Sequence, residues 1–174
     1  MATLNASLIA IEQHMGFPQS RSRTVSRRLQ ERDVIPIGAP GVAPELEAHD
    51  VVSLIIALAA DTALHEAPDA VERYRALTPG GVDLTDAPAS LDTAGRALDI
   101  FADIAIHGSA DLLRRDRIEF VSNFAEVAIH DATSGRTKRF APVGHALGSQ
   151  RPPQEHDHQR QRIVDAINAL FGRK

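Results

Sequence analysis

A chain of 174 residues and 18.8 kDa has the length of one ordinary domain or two small ones. Hydrophobic residues make up 43%, enough for a packed core, and aromatics only 4%, so that core must be aliphatic. The absence of cysteine excludes a disulfide scaffold, a thiol nucleophile and any Cys-ligated zinc or iron–sulfur centre. The net charge of −4 argues against indiscriminate coating of nucleic acid. Its distribution is uneven: residues 1–44 carry +2, residues 45–119 carry −9, and residues 151–174 carry +2. A basic N-terminal part and a basic tail therefore flank an acidic middle, a pattern that points the ends toward an anionic partner.

Leu4, Leu8, Ile11 and Met15 recur at helical spacing and predict a first helix over Thr3–Met15, ended by Gly16 and Pro18. A second helix is predicted from Ser20 or Ser22, either of which can cap it, to about Arg32, with Val25 and Leu29 as its apolar contribution. Three prolines and two glycines in residues 34–44 predict an ordered, wing-like loop. A third helix is predicted from Pro44 through Asp61, with Glu45 and Glu47 in its first turn and apolar residues all round, which makes it a buried hub. A shorter helix follows over Ala67–Leu77. Residues 78–89, rich in Pro and Gly, read as a linker, and a further helix runs from Ser90 or Leu91 to His107, where Gly108 stops it. Residues 118–121, 126–130 and 137–140 alternate as short strands, predicting a small antiparallel meander. Residues 141–157 read as a second linker, and residues 158–174 as a C-terminal amphipathic helix.

The expected architecture is mainly α. A helix-turn-helix domain with a wing-like loop (1–77) is joined by 78–89 to an α+β oligomerisation or regulatory part (90–140), and by 141–157 to the last helix. The longest apolar run, Val51–Ala60, is too short to span a bilayer, and the first residues lack the pattern of a secretory signal. A soluble protein of a prokaryotic or phage-infected cytoplasm is expected, with no membrane partner.

Catalytic and cofactor signatures are missing. No phosphate-binding glycine loop, dinucleotide fingerprint, nucleophile elbow or H-E-x-x-H pair occurs. His156-Asp157-His158 offers two imidazoles but sits in a polar Pro/Gln stretch, and Asp99 and Asp103, one helical turn apart, read as a solvated face. No enzyme activity, catalytic residue, metal site or cofactor is therefore assigned.

The basic second helix is the informative element. At 100° per residue, Arg23, Ser26, Arg27 and Gln30 share a face away from Val25 and Leu29, and Arg21, Arg28 and Arg32 lie beside the apolar stripe. A helix entering the major groove of DNA needs this division: an apolar side to dock on its domain, Arg and Gln for base edges, and flanking cations for phosphates. Arg21, Arg23, Ser26, Arg27, Arg28 and Gln30 are the candidate contacts to double-stranded DNA.

The stretch Thr24-Val-Ser-Arg-Arg-Leu-Gln-Glu-Arg-Asp-Val-Ile-Pro36 resembles the "T-V-x-R-x-L-x-E-x-G-L-I-P" segment of helix-turn-helix and winged-helix DNA-binding domains. Leu46-Glu-Ala-His-Asp50-Val-Val, with Leu54, is similar to the helix after the wing in the MerR-like group. The likeness covers residues 3–60 and is of the kind found in phage and prophage proteins. It departs at Asp33, where the pattern has Gly, and the Cys and metal ligands of MerR-type sensors are absent. It implies a sequence-specific DNA-binding protein, a transcriptional regulator acting as a dimer. The same organisation suits a phage small terminase subunit or, without DNA, a protein-interaction adaptor. The apolar residues Ile163, Val164, Ile167, Leu170 and Phe171 of the last helix are expected to join copies of the chain into a homo-oligomer.

Overall fold

The computed structural model describes residues 1–39, 41–87, 92–108, 110–145 and 162–172. Helix α1 runs over Leu4–Met15, and the Thr3 hydroxyl accepts the Ala6 amide to cap it. Its buried side chains, Ser7, Leu8, Ala10, Ile11 and Met15, follow the period read from sequence. Gly16 ends it in the left-handed region at φ 76°, where a side chain would be strained. Helix α2 begins three residues later and covers Gln19–Glu31. Neither expected serine caps it. Glu12 of α1 does so from across the turn, its carboxylate accepting the Gln19 backbone amide (3.3 Å) and side-chain amide (2.6 Å). Ser22 is instead buried.

After α2 the chain loops back and strand β2 (Glu45–Leu46) pairs antiparallel with β1 (Ala2–Thr3). The Leu4 amide donates to the Pro44 carbonyl and closes the loop at its base. Gly38 is needed there, because a Cβ would lie 2.4 Å from the Val42 carbonyl oxygen. Helix α3 therefore starts later than the prolines suggest, at Ala48–Ala60. Glu45 lies in β2, and Glu47 caps α3 in a reciprocal box with Asp50, which accepts the Glu47 amide at 2.8 Å. Val51 to Leu58 are all buried, so α3 is the hub that its composition predicts. A 3-10 turn (Leu64–Glu66) leads into α4 (Ala67–Arg75), which carries Pro68 in its first turn.

The segment expected as a linker starts with a strand. β3 (Thr78–Pro79) pairs with β6 (Thr137–Ala141), which pairs with β5 (Glu126–His130), which pairs with β4 (Arg117–Val121), all antiparallel. The meander thus gains a fourth strand from the N-terminal half. Helix α5 (Ala94–His107) is capped by Thr93, whose hydroxyl accepts the Arg96 amide, and a short α6 (Ala110–Leu113) follows; the predicted start at Ser90 or Leu91 lies outside the described residues. Ile118, Phe120, Val127 and Phe140 face the core beside α3 and α5, and the Tyr74 hydroxyl donates to the Val121 carbonyl.

Helix α7 (Arg162–Phe171) packs back on α1 and α5 of its own chain. Ile163, Val164, Ala166 and Ile167 are buried, Leu170 and Phe171 pack at the margin, and Arg114 Nε bonds Asp165 at 3.0 Å. Here the expected oligomerisation stripe is corrected: Ile163, Val164 and Ile167 are buried inside one chain, and Leu170 and Phe171 are partly covered by it. From Leu8 to Ile167 the buried apolar residues form one cluster, so 1–77, 90–140 and the last helix share a core. His156-Asp157-His158 and the rest of 146–161 lie outside the described residues. No helix among the described residues is long and apolar enough to cross a membrane.

Candidate nucleic-acid interface

Five arginines against one acid over residues 19–32 make α2 and its C-terminal end the most basic element of the described fold. What they can do depends on where the helix is pinned. Ser22, Val25, Ser26 and Leu29, spaced i, i+3, i+4 and i+7, are buried against α1, α3 and α4. Two of those four are serines, so the backbone of α2 lies close on its neighbours. The opposite line is Ser20, Thr24, Arg27 and Glu31, all exposed.

This geometry sorts the six candidates. Arg27 stands in the middle of the outward line, exposed, with no hydrogen-bond or ion-pair partner among the described residues. Arg23 lies beside it and reaches Asn5 of α1 at 3.4 Å. Arg28, on the other flank, pairs with Glu31 at 2.6 Å. Arg21 pairs with Asp61, which follows α3. Two candidates leave the face. Ser26 is fully buried and its hydroxyl donates to the Arg23 carbonyl at 2.9 Å. Its position, 100° from Val25, is a border that the neighbouring helices decide. Gln30 is half-buried, and its amide donates to the Pro36 carbonyl at 2.9 Å, which pins the loop after α2.

The loop itself brings Ile37 and Val42 to the surface, 63% and 64% exposed, while Ile35 is buried beneath them. Its entry is the position of the sequence departure. Asp33 has φ 54°, so the backbone takes the left-handed turn that Gly would serve, and the Asp33 amide donates to Gln30.

Sequence reasoning missed the acids around the basic helix. Arg32 reaches Asp69 of α4 at 3.1 Å, across the mouth of a cleft of about 340 Å³ lined also by His49, Ser53, Glu72 and Arg75. Arg75 is itself paired with Asp99, so both arginines of the cleft are already matched. Asp99 and Asp103 serve different partners, Arg75 and His107, and do not converge. No three metal-ligating side chains cluster among the described residues. Compared with known proteins, the chain matches no family model, no curated protein and no solved structure.

Proposed function

We propose that the chain is a sequence-specific DNA-binding protein of the phage or prophage type, acting in transcriptional regulation within a prokaryotic or infected cytoplasm. In this reading α2 enters the major groove with Arg27 at its centre and Arg23 and Arg28 on either side, while the loop with Ile37 and Val42 lies along the backbone. One observation carries the proposal: Arg27 is exposed at the middle of a helix whose opposite face is anchored by Val25 and Leu29, and it has no partner among the described residues. The three-residue turn with left-handed Gly16 supports it, because the helices of such readers are joined by a short turn that often contains Gly. No catalytic step and no cofactor belong to the proposal. A two-fold site would be met by two copies, and their contact would use a face other than the side of α7 that carries Ile163, Val164 and Ile167, which is occupied.

The test is selection of bound duplexes from a random library, then competition between the selected site and random duplex. An arginine paired with guanine contributes about 1–3 kcal/mol of discrimination, so Arg27→Ala should lose roughly five-fold to more than a hundred-fold of the preference. A parent protein that shifts no duplex at low salt would overturn the proposal and leave the adaptor reading in its place.

A further inference from the structure

Both ends of α2 are tied to acids of the elements beneath it, and its middle is not. Arg21, in the first turn, pairs with Asp61; Arg32, which ends the helix, pairs with Asp69. These are surface pairs, with all four side chains more than 40% exposed, and pairs of that kind shift an equilibrium by no more than about five-fold. They are therefore poor explanations of stability.

Asp61 is also badly placed for folding. It follows the last residue of α3 at φ 50°, ψ 35°, a left-handed position that Gly or Asn fills at lower cost. Its charge stands at the helix end that carries partial negative charge, where a cation is favoured. A residue that breaks two local rules at an exposed position, and whose carboxylate meets Arg21, has a use outside the core.

We propose that Asp61, with Asp69 as its counterpart, determines specificity in the DNA-binding reading above, on which this inference rests. The carboxylate occupies the place of a backbone phosphate against Arg21, since both are oxyanions that match a guanidinium. A duplex that approaches must displace it and then lie beside a like charge. The end cations of α2 are thereby withheld from sequence-independent binding, and Arg27 with its neighbours is left to engage the duplex. Because the pairs are weak, they trim non-specific affinity without abolishing it.

Asp61→Asn isolates the effect, since Asn removes the charge, keeps the shape and suits the left-handed backbone. Asp69→Asn is an independent second variant at the other end of α2. Parent and variants are titrated with random duplex and with the duplex that the parent selects, at about 50 and 200 mM salt. Each released arginine that gains a phosphate should steepen the salt dependence by about 0.9 in slope, a further factor of about 3.5 between those two salts. Random duplex should be bound several-fold more tightly, and the ratio of selected to random affinity should fall. Arg21→Ala in the parent should leave the slope unchanged, whereas in Asp61→Asn it should cancel the gain. If the parent binds duplex and both Asn variants match it or bind more weakly, this inference is overturned and the DNA reading stands. If the parent binds no duplex at the lower salt, both fall together.

Discussion

Truncation of Ile167 to alanine separates a helix docked within one chain from one that joins two. Ile167 is fully buried in α7, among the side chains of the core that α1 and α5 also build. The change deletes three carbons, about 2.4 kcal/mol of transfer free energy at roughly 0.8 kcal/mol each. The cavity left behind raises the loss to about 3–4 kcal/mol. For a chain of this size each kcal/mol moves the melting temperature by about 2–4 °C, so a fall on the order of 10 °C is expected. Circular dichroism melts at several protein concentrations, with sedimentation velocity beside them, make the measurement. Docking within the chain predicts an equal fall at every concentration and an unchanged mass. A variant that melts like the parent but sediments as a smaller species would refute it and return α7 to the interface between copies.

Two further outcomes follow from the backbone and the core. Asp33 stands at φ 54°, so Asp33→Gly should keep or gain stability, by up to about 1 kcal/mol, while Asp33→Val should lose more than about 1 kcal/mol; urea unfolding decides. Burial holds the Tyr74 hydroxyl in its neutral form and pushes its pKa up to about 12 against the nearby Arg73 charge, from an ordinary value near 10. The fold therefore binds this proton more tightly than the unfolded chain does. Its contribution is complete below pH 10 and is lost as pH rises through about 12, on the order of 3 kcal/mol in all. Urea midpoints between pH 9 and about 11.5 should fall more steeply for the parent than for Tyr74→Phe, and equal slopes would remove Tyr74 as the cause.

The parts of this fold that sequence made visible are those whose physics is local. The three meander strands appear within a residue of their expected bounds, because Ile118/Phe120 alternate and turn residues separate the runs. Helix α1 is equally plain, with its apolar period and Gly16 stop. The two-residue strands β1, β2 and β3 are too short to carry a period, so the pairing that closes the loop at Pro44 and adds β3 to the sheet left no signal. Helix α7 shows a different limit. An apolar stripe says that a surface must be covered, and it reads the same whether the cover is α1 or a second copy. In the candidate interface the positions of Arg21, Arg23 and Arg32 could be counted from a helical wheel, but their partners could not. Asn5, Asp61 and Asp69 come from other elements, 18, 40 and 37 residues away from the arginines that they meet.

The segment Thr24–Pro36 resembles a DNA-binding motif, yet folding accounts for nearly every position in it. Val25, Leu29 and Ile35 are buried, and the Thr24 hydroxyl bonds back to the Ser20 carbonyl. Glu31 meets Arg28, Asp33 makes the left-handed turn, and the Pro36 carbonyl receives Gln30. A pattern made of such positions describes a helix, a turn and a returning loop, and any protein with that local fold could share it. That is why the resemblance alone is weak support for a function. Arg27 is the exception. It sits in the segment at a place where the fold asks only for a side chain that tolerates water, and any good helix former would satisfy that demand. A guanidinium there, centred on the outward line and with no partner among the described residues, adds nothing to the helix that lysine, glutamine or alanine would not. The DNA-binding reading accordingly rests on this one side chain more than on the motif around it.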